Sequence, residues 1–194
     1  REVGVASTKS FTSQVIILSM MAIWFAQGHD INLQKRKKHI KDLRKLYLDI
    51  EKNVEKNDID KLVTLFKTQN NCFILGKDKA EAIAQEAALK IKEISYIHAE
   101  GYSSSSLKHG PFALLEKDFP VILVSPENKY FSKNMNAYEE IKSRHATIIL
   151  VTDKEGLGLD NTILIEKNQS YGDLLCIIPL QLLAFKLSIY KGCN

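Results

Sequence analysis

Three charged side chains at helical spacing, followed by a histidine, are the residues of this sequence best suited to chemistry. Glu86, Lys90 and Glu93 are four and three residues apart, so on a helix they share one face. A carboxylate can transfer protons when its pKa is adjusted towards neutrality, and histidine, here His109, is the residue type most often used for general acid–base catalysis. The stretch therefore carries the groups that proton-transfer chemistry needs.

The same spacing also fits a solvated helix face without any chemical role. Exposed ion pairs at these spacings contribute only about 0.2–0.5 kcal/mol to a helix, and most have no other function. A histidine after a serine-rich loop is also commonly structural or merely exposed. Spacing alone leaves both interpretations open.

The elements that position these residues are predicted to be a helix and a loop. Residues 80–97 contain mostly good helix formers and predict a helix. Serines 103–106 and the pair Gly110-Pro111 interrupt the pattern and indicate a loop. The charged helix face would thus end beside a loop that bears His109.

The part of the chain before this stretch predicts helices alone, over residues 6–27, 33–56 and 60–66. Ser7 or Thr8 is a candidate N-cap of the first helix. That helix is apolar on most sides, which predicts burial between layers or at a subunit contact, with Trp24 and Phe25 as anchors.

From residue 71 onwards, short apolar runs alternate with helical patterns. The runs 72–76, 120–124, 147–151 and 162–165 predict strands, and residues 80–97, 129–144 and 173–190 predict helices. Continuous apolar strands between helices are typical of an α/β fold with a parallel sheet covered on both faces. Ligands of such sheets bind beyond the carboxyl ends of the strands, here Gly76, Ser125-Pro126 and Thr152-Asp153.

The composition is that of a soluble globular protein. The 194 residues are 45% hydrophobic and 26% charged, and the net charge of +4 requires neither a nucleic-acid nor a membrane partner. The basic run 35–38 is interpreted as a solvated helix face, with a nucleic-acid patch as the less favoured alternative. The longest apolar stretch, residues 15–26, is shorter than a transmembrane span.

The three cysteines have no zinc-binding spacing. Cys72, Cys176 and Cys193 are therefore predicted to be free thiols in a reducing compartment. No metal or cofactor is indicated.

Four stretches in the sequence resemble the isomerase domain of the glutamine–fructose-6-phosphate amidotransferases, the glucosamine-6-phosphate synthases. They are residues 2–14, residues 86–111 with the string Leu107-Lys108-His109-Gly110-Pro111, residues 119–126, and residues 178–185 with Lys191-Gly192. They occur in the family's order and extend over the whole chain.

The resemblance implies a three-layer αβα architecture of the sugar-isomerase (SIS) type. Residues 1–69 would be the end of a first SIS subdomain with its connecting helices, and residues 70–194 would be a second SIS subdomain. The implied reaction is the cytoplasmic conversion of fructose 6-phosphate and glutamine-derived ammonia into glucosamine 6-phosphate, for UDP-N-acetylglucosamine synthesis. No cofactor is implied.

The resemblance also implies roles for five residues. Glu93 matches the base that moves a proton between C1 and C2 of the sugar, with Lys90 beside it. His109 matches the residue that helps to open the sugar ring and is donated across a homodimer interface. Val5 and Ser7 match sugar-contacting positions.

The chain departs from the family in several places. The family's main phosphate-binding loop precedes the position of Arg1, its imine-forming lysine follows that of Asn194, and its glutaminase domain is not in this sequence. We therefore expect weak or no turnover by this chain alone. Ser106 replaces a glutamate, which affects the order of the loop around His109, and Asp78 replaces a glycine in a turn that favours positive φ.

Two other functions remain open from the sequence. The serine run and the replaced glycines, at Asp78 and at Ala87, also fit a non-catalytic SIS module that binds a sugar phosphate or mediates dimerisation. A simple aldose–ketose isomerase is less favoured, because the match around Glu93 and His109 is particular to the amidotransferases.

Overall fold

The computed structural model describes residues 6–29 and 32–193. The chain begins with three helices, α1 (Lys9–Gln27), α2 (Leu33–Glu55) and α3 (Ile59–Val63), followed by a 3₁₀ turn, Thr64–Phe66. Strands and helices then follow in the order β1 (Asn71–Gly76), α4 (Lys79–Ser95), β2 (His98–Ser103), β3 (Pro120–Val124), α5 (Phe131–Lys142), β4 (Thr147–Thr152), β5 (Thr162–Leu164) and α6 (Gly172–Lys191).

The five strands form one parallel sheet in the order β2-β1-β3-β4-β5. The predicted α/β class is therefore confirmed, with four of the strands at the predicted places. The edge strand β2 was not predicted, because its sequence His98–Ser103 lacks the continuous apolar run of the inner strands.

Helices cover both faces of the sheet and enclose two apolar cores. On one face α4 and α6 pack against the strands through residues such as Ile91, Leu175 and Leu183. On the other face α5 and the loop before β3 contribute Ile141 and Phe119. The sheet lies between these layers, which gives the αβα arrangement.

Gly101 allows α4 to pack directly on the edge strand. A Cβ atom at this position would lie 2.6 Å from the Cα atom of Gln85 on α4, a distance that real Cβ contacts do not reach. This close packing fixes the position of α4 on β2. The charged residues carried by α4 are fixed in position with it.

Amide side chains of α2 and of the segment after it bind the end of β5 and the residues that follow it. The Asn57 amide donates to the carbonyl oxygen of Leu164 at 3.1 Å and accepts from its N–H at 2.9 Å. The Asn53 side chain accepts from the N–H of Glu166 at 2.7 Å. The helical segment and the end of β5 are thus joined by specific hydrogen bonds.

Helix α1 is not buried between layers of this chain, since none of its residues is buried. The alternative of burial at a subunit contact stays a prediction. Trp24 and Phe25 are 68% and 55% exposed, so they do not anchor the helix within this chain. Their rings contact each other instead, with centroids 4.9 Å apart.

Two described helices, α1 and α6, are long and apolar enough to cross a membrane by length and composition alone. Helix α1 is longer than the apolar stretch 15–26 because the polar residues before that stretch join the helix. In α6, 61% of the most apolar stretch is buried within the chain, so this helix belongs to the core.

Two of the cysteines are part of the core. Cys72 and Cys176 are fully buried free thiols, and burial raises the pKa of Cys72 to about 12. They fill space in the core as small apolar side chains. Cys193 is a partly exposed free thiol near the end of the chain.

Candidate active site

Lys90 lies between two carboxylates on the buried side of α4. Its ammonium contacts Glu93 Oε2 at 2.7 Å and Glu86 Oε1 at 3.7 Å. The side chain of Lys90 is only 4% exposed, whereas those of Glu86 and Glu93 are 14% and 29% exposed. The face is therefore not an ordinary solvated one, because its cation is removed from water and depends on both acids.

The charges of this group are unequal, with two carboxylates and one ammonium. Burial raises the pKa of Glu86 above its ordinary value, Lys90 lowers it and the negative charge of Glu93 raises it again. Glu93 makes the shorter contact and is the more exposed acid, so it is the one that can meet a ligand. Such an arrangement can orient a carboxylate for proton transfer.

Helical spacing placed Glu86 on the same face as Lys90 and Glu93, but the resemblance implied no role for it. Its spacing to Lys90 was the available signal. What spacing could not reveal is that Lys90 is buried and that both acids converge on it.

His109 lies in an exposed turn after β2. Its backbone N–H donates to the carbonyl oxygen of Ser106 at 2.9 Å, and Leu107 anchors the turn by its burial. The neighbouring Lys108 pairs with Glu140 of α5 at 2.8 Å. The backbone carbonyl of Ser106 thus holds the turn.

The fold does not bring Glu93 and His109 together within one chain. Glu93 lies near the end of α4, just before β2 begins, and His109 follows the end of β2. The six residues of β2 span about 16 to 20 Å at roughly 3.3 Å per residue. Glu93 also lies about 21 Å along α4 from Lys79, since each helical residue rises about 1.5 Å, so it is far from the carboxyl ends of the strands.

Ser7 precedes α1 and is partly buried. The start of that helix is attached to α6, because the Gln181 amide donates to the carbonyl oxygen of Thr8 at 3.3 Å. Val5 lies outside the described residues. The sugar-contacting roles of Ser7 and Val5 stay predictions.

A buried polar network lies at the carboxyl ends of the strands. It spans the place between β1 and β3 where the strand order changes direction. Asn134 of α5 donates to Ser125 Oγ at 3.1 Å and accepts from Ser104 Oγ at 2.7 Å. Asn134 and Ser125 are 2% and 0% exposed. The side chain of Lys77 hydrogen bonds to Ser105 beside this network. The sequence predicted Ser125 as a strand-end position near which a ligand would bind, but it did not predict Asn134.

The polar side chains of β2 contact one another. His98 Nε2 lies 3.4 Å from Glu100 Oε1, and the Tyr102 hydroxyl donates to the same carboxylate. Asp78 has a φ of 59°, so this turn uses a positive φ. Among residues 6–29 and 32–193, no three histidine, cysteine or acidic side chains group as metal ligands.

Comparison with known proteins relates the chain to a family of sugar-phosphate enzymes. The family model described as the SIS domain matches residues 65–189. A probable glutamine–fructose-6-phosphate aminotransferase (isomerizing) of Acanthamoeba polyphaga mimivirus is 46% identical over 202 aligned residues, covering 100% of this chain and 32% of that protein. The enzyme of the same name from Haemophilus influenzae is 38% identical over 100% of this chain and 33% of its own length.

A solved structure has the same fold throughout. The C-terminal domain of glucosamine-fructose-6-phosphate aminotransferase from Francisella tularensis superposes with a TM-score of 0.90 at 34% identity, covering 100% of this chain and 57% of that chain. A solved structure from Silicibacter pomeroyi, at 20% identity and a TM-score of 0.68 over 81% of this chain and 48% of that chain, shares the fold alone. The chain spans about a third of the length of the curated relatives it matches.

Proposed function

The chain belongs to the SIS domain family, and on this premise we propose that it is the isomerase part of a glutamine–fructose-6-phosphate aminotransferase. The proposed reaction turns fructose 6-phosphate and ammonia from glutamine into glucosamine 6-phosphate. The observation that supports it most directly is the 2.7 Å contact between Glu93 and the buried Lys90. The names and full-chain coverage of the relatives support the same reaction.

The proposed roles follow from the chemistry. A ketose becomes a 2-aminoaldose by ring opening, imine formation at C2 and movement of a proton from C1 to C2. Glu93 accepts the C1 proton and returns it at C2, since it is the more exposed acid of the pair. Lys90 holds that carboxylate in place, and its charge is shared with Glu86, so Glu93 is not fully neutralised.

His109 opens the sugar ring in this proposal, and it comes from a second copy of the chain. The reason is geometric, because Glu93 and His109 of one chain lie at opposite ends of β2. A homodimer with symmetric exchange of the two loops would complete both sites. Ser7 and Val5 would contact the sugar, and the free thiols of Cys72 and Cys176 fit a cytoplasmic location.

A chimera tests the catalytic role of Glu93. The matching third of the Haemophilus influenzae enzyme is replaced by this chain, and glucosamine 6-phosphate formation is measured. Glu93→Gln should lower kcat by about 100- to 10,000-fold, the usual contribution of a general base. Glu51→Gln, on the exposed side of α2, is the matched control and should leave kcat unchanged. Equal kcat values for both variants would refute the role of Glu93.

Mixing two inactive chimeras tests the shared site. Random pairing of Glu93→Gln and His109→Ala subunits makes half of the dimers mixed, and each mixed dimer has one intact site. About a quarter of the normal activity should therefore return if the two residues come from different subunits. No recovery would place them in one subunit or remove His109 from the site.

If the chimera is inactive with Glu93 intact, the non-catalytic alternatives remain. Calorimetry of sugar-phosphate binding then distinguishes a binding module from a dimerisation module. Saturable binding of fructose 6-phosphate or glucosamine 6-phosphate to the chain would support a sugar-phosphate-binding module. Absence of binding would leave dimerisation as its role.

A further inference from the structure

A cavity of about 590 Å³ lies between α1, α2 and the first turns of α4 and α6. Its walls are mostly apolar, from Val15 and Ile23 of α1, Ile83 of α4 and Leu174 of α6. The volume is in the range of small-molecule sites, about 300–1,000 Å³. This cavity is at the start of α4, whereas Lys90 and Glu93 are near its end.

Two polar atoms at this cavity are buried without a hydrogen-bond partner among the described residues. They are Arg36 Nε, from α2, and Asp173 Oδ1, from α6, and both residues line the cavity. Buried polar atoms are nearly always paired in native proteins. One unpaired donor and one unpaired acceptor, on different helices facing one cavity, indicate a ligand that offers both an acceptor and a donor.

The charges around the cavity favour an anion. Lys35, Arg36 and Lys79 line it together with His39, and Asp173 is its single acidic lining residue among those described. Asp173 also has an ordinary structural explanation, because an acid in the first turn stabilises the start of α6. That explanation does not account for Arg36, which lies on another helix.

We propose that this cavity binds an organic anion, with an apolar body between α1 and α4 and one carboxylate, phosphate or sulfonate group on Arg36. Asp173 accepts a hydrogen bond from the same ligand. Arg36 suits this role because a guanidinium forms strong, directed hydrogen bonds to such groups. The site is independent of the proposed reaction at Glu93, and its test needs no enzyme activity.

A pair of fluorescent probes tests the site on the full chain. The sulfonate probe 8-anilinonaphthalene-1-sulfonate matches the proposed chemistry, and N-phenyl-1-naphthylamine is the same body without the charge. We expect saturable binding of one sulfonate probe per chain. Arg36→Gln should weaken that binding about tenfold through the lost charged hydrogen bond, and it should leave binding of the uncharged probe unchanged.

A second groove supplies the matched control. It lies between α1 and α2, has a volume of about 560 Å³ and is lined by Trp24, Tyr47 and Arg44, none of which has a buried unpaired side-chain atom. Arg44→Gln should not change sulfonate binding. Circular dichroism checks that the variants fold. If Arg36→Gln does not fold, Lys35→Gln, at an exposed position, tests the same preference for a negatively charged ligand.

Three results would overturn the proposal. The first is an equal loss of sulfonate binding in the Arg36→Gln and Arg44→Gln variants, because the probe would then report apolar surface in general. The second is an equal loss of both probes in Arg36→Gln, which would indicate altered packing. The third is probe binding that falls as protein concentration rises, because a second copy of the chain would then occupy the cavity.

Discussion

The two ends of strand β2 are built differently. At its amino end, the last turns of α4 hold a buried ammonium between two carboxylates. At its carboxyl end, an exposed turn carries His109, and a neutral network joins Ser104, Asn134 and Ser125. Closeness in sequence is therefore a poor guide to a shared site, because one strand separates Glu93 from His109.

The difference also concerns what stabilises each end. The amino end depends on ionisation, since Lys90 is buried and its partners are acids. The carboxyl end depends on neutral hydrogen bonds, since the network contains only hydroxyl and amide groups. Substitutions at the two ends should thus differ in size and in their dependence on pH.

The largest effect is expected from Lys90→Ala. It leaves Glu86 and Glu93 beside each other without their cation, and removing one partner of a buried ion pair costs about 3 kcal/mol. Urea denaturation should show this loss at neutral pH. Lys108→Ala, which removes the exposed pair with Glu140 at the other end of β2, should cost under about 0.5 kcal/mol. If both variants lost similar amounts of unfolding free energy, the ion pairs at the two ends of β2 would not differ in strength.

The sequence predicted four of the five strands, including the edge strand β5, and missed the other edge strand, β2. The runs at β1, β3, β4 and β5 are apolar because helices cover both faces of these strands, so composition identifies them. β2 is an edge strand that pairs only with β1, and its residues His98, Glu100 and Tyr102 form a polar row. β2 is a strand because it pairs with β1. The sequence of β2 itself contains no pattern that predicts this pairing.

The candidate site was predictable in part for a similar reason. Helical spacing is a local property, so it placed Glu86, Lys90 and Glu93 on one face. Burial of Lys90 depends on how α4 packs, and the pairing of Asn134 with two serines depends on α5 crossing the strand ends. These are tertiary properties, and the sequence alone offered no signal for them.

An intermediate effect is expected from Asn134→Ala at the carboxyl end. The change leaves the buried hydroxyls of Ser104 and Ser125 without their partner, and unpaired buried polar groups cost about 2 kcal/mol in total here. The loss should be nearly constant between about pH 5 and pH 8, because none of the three groups titrates there. Asn136→Ala, exposed on the same helix, should change the unfolding free energy by less than about 0.5 kcal/mol. A loss in Asn134→Ala that varies strongly with pH would contradict a neutral network.

The smallest effect is expected from Glu86→Gln, and its sign is the informative part. Burial, the largest cause, raises the pKa of Glu86 above its ordinary value of 4.5. An acid with a raised folded pKa stabilises the fold below its unfolded pKa, and that stabilisation is lost as pH rises through the folded value. Glu86→Gln does not titrate, so its stability relative to the natural chain should improve by under about 1 kcal/mol from pH 4 to pH 7.

Glu166→Gln is the matched variant, because its shift has the opposite direction. The hydrogen bond from Lys56 is the largest cause that lowers the pKa of Glu166, so its stabilisation is present above the unfolded pKa and is lost as pH falls. Glu166→Gln should therefore be less stable than the natural chain at pH 7, and the difference should shrink towards pH 4. Denaturation curves at several pH values distinguish the two slopes. If both variants changed in the same direction with pH, burial would not control Glu86, and the amino end of β2 would be an ordinary solvated ion pair.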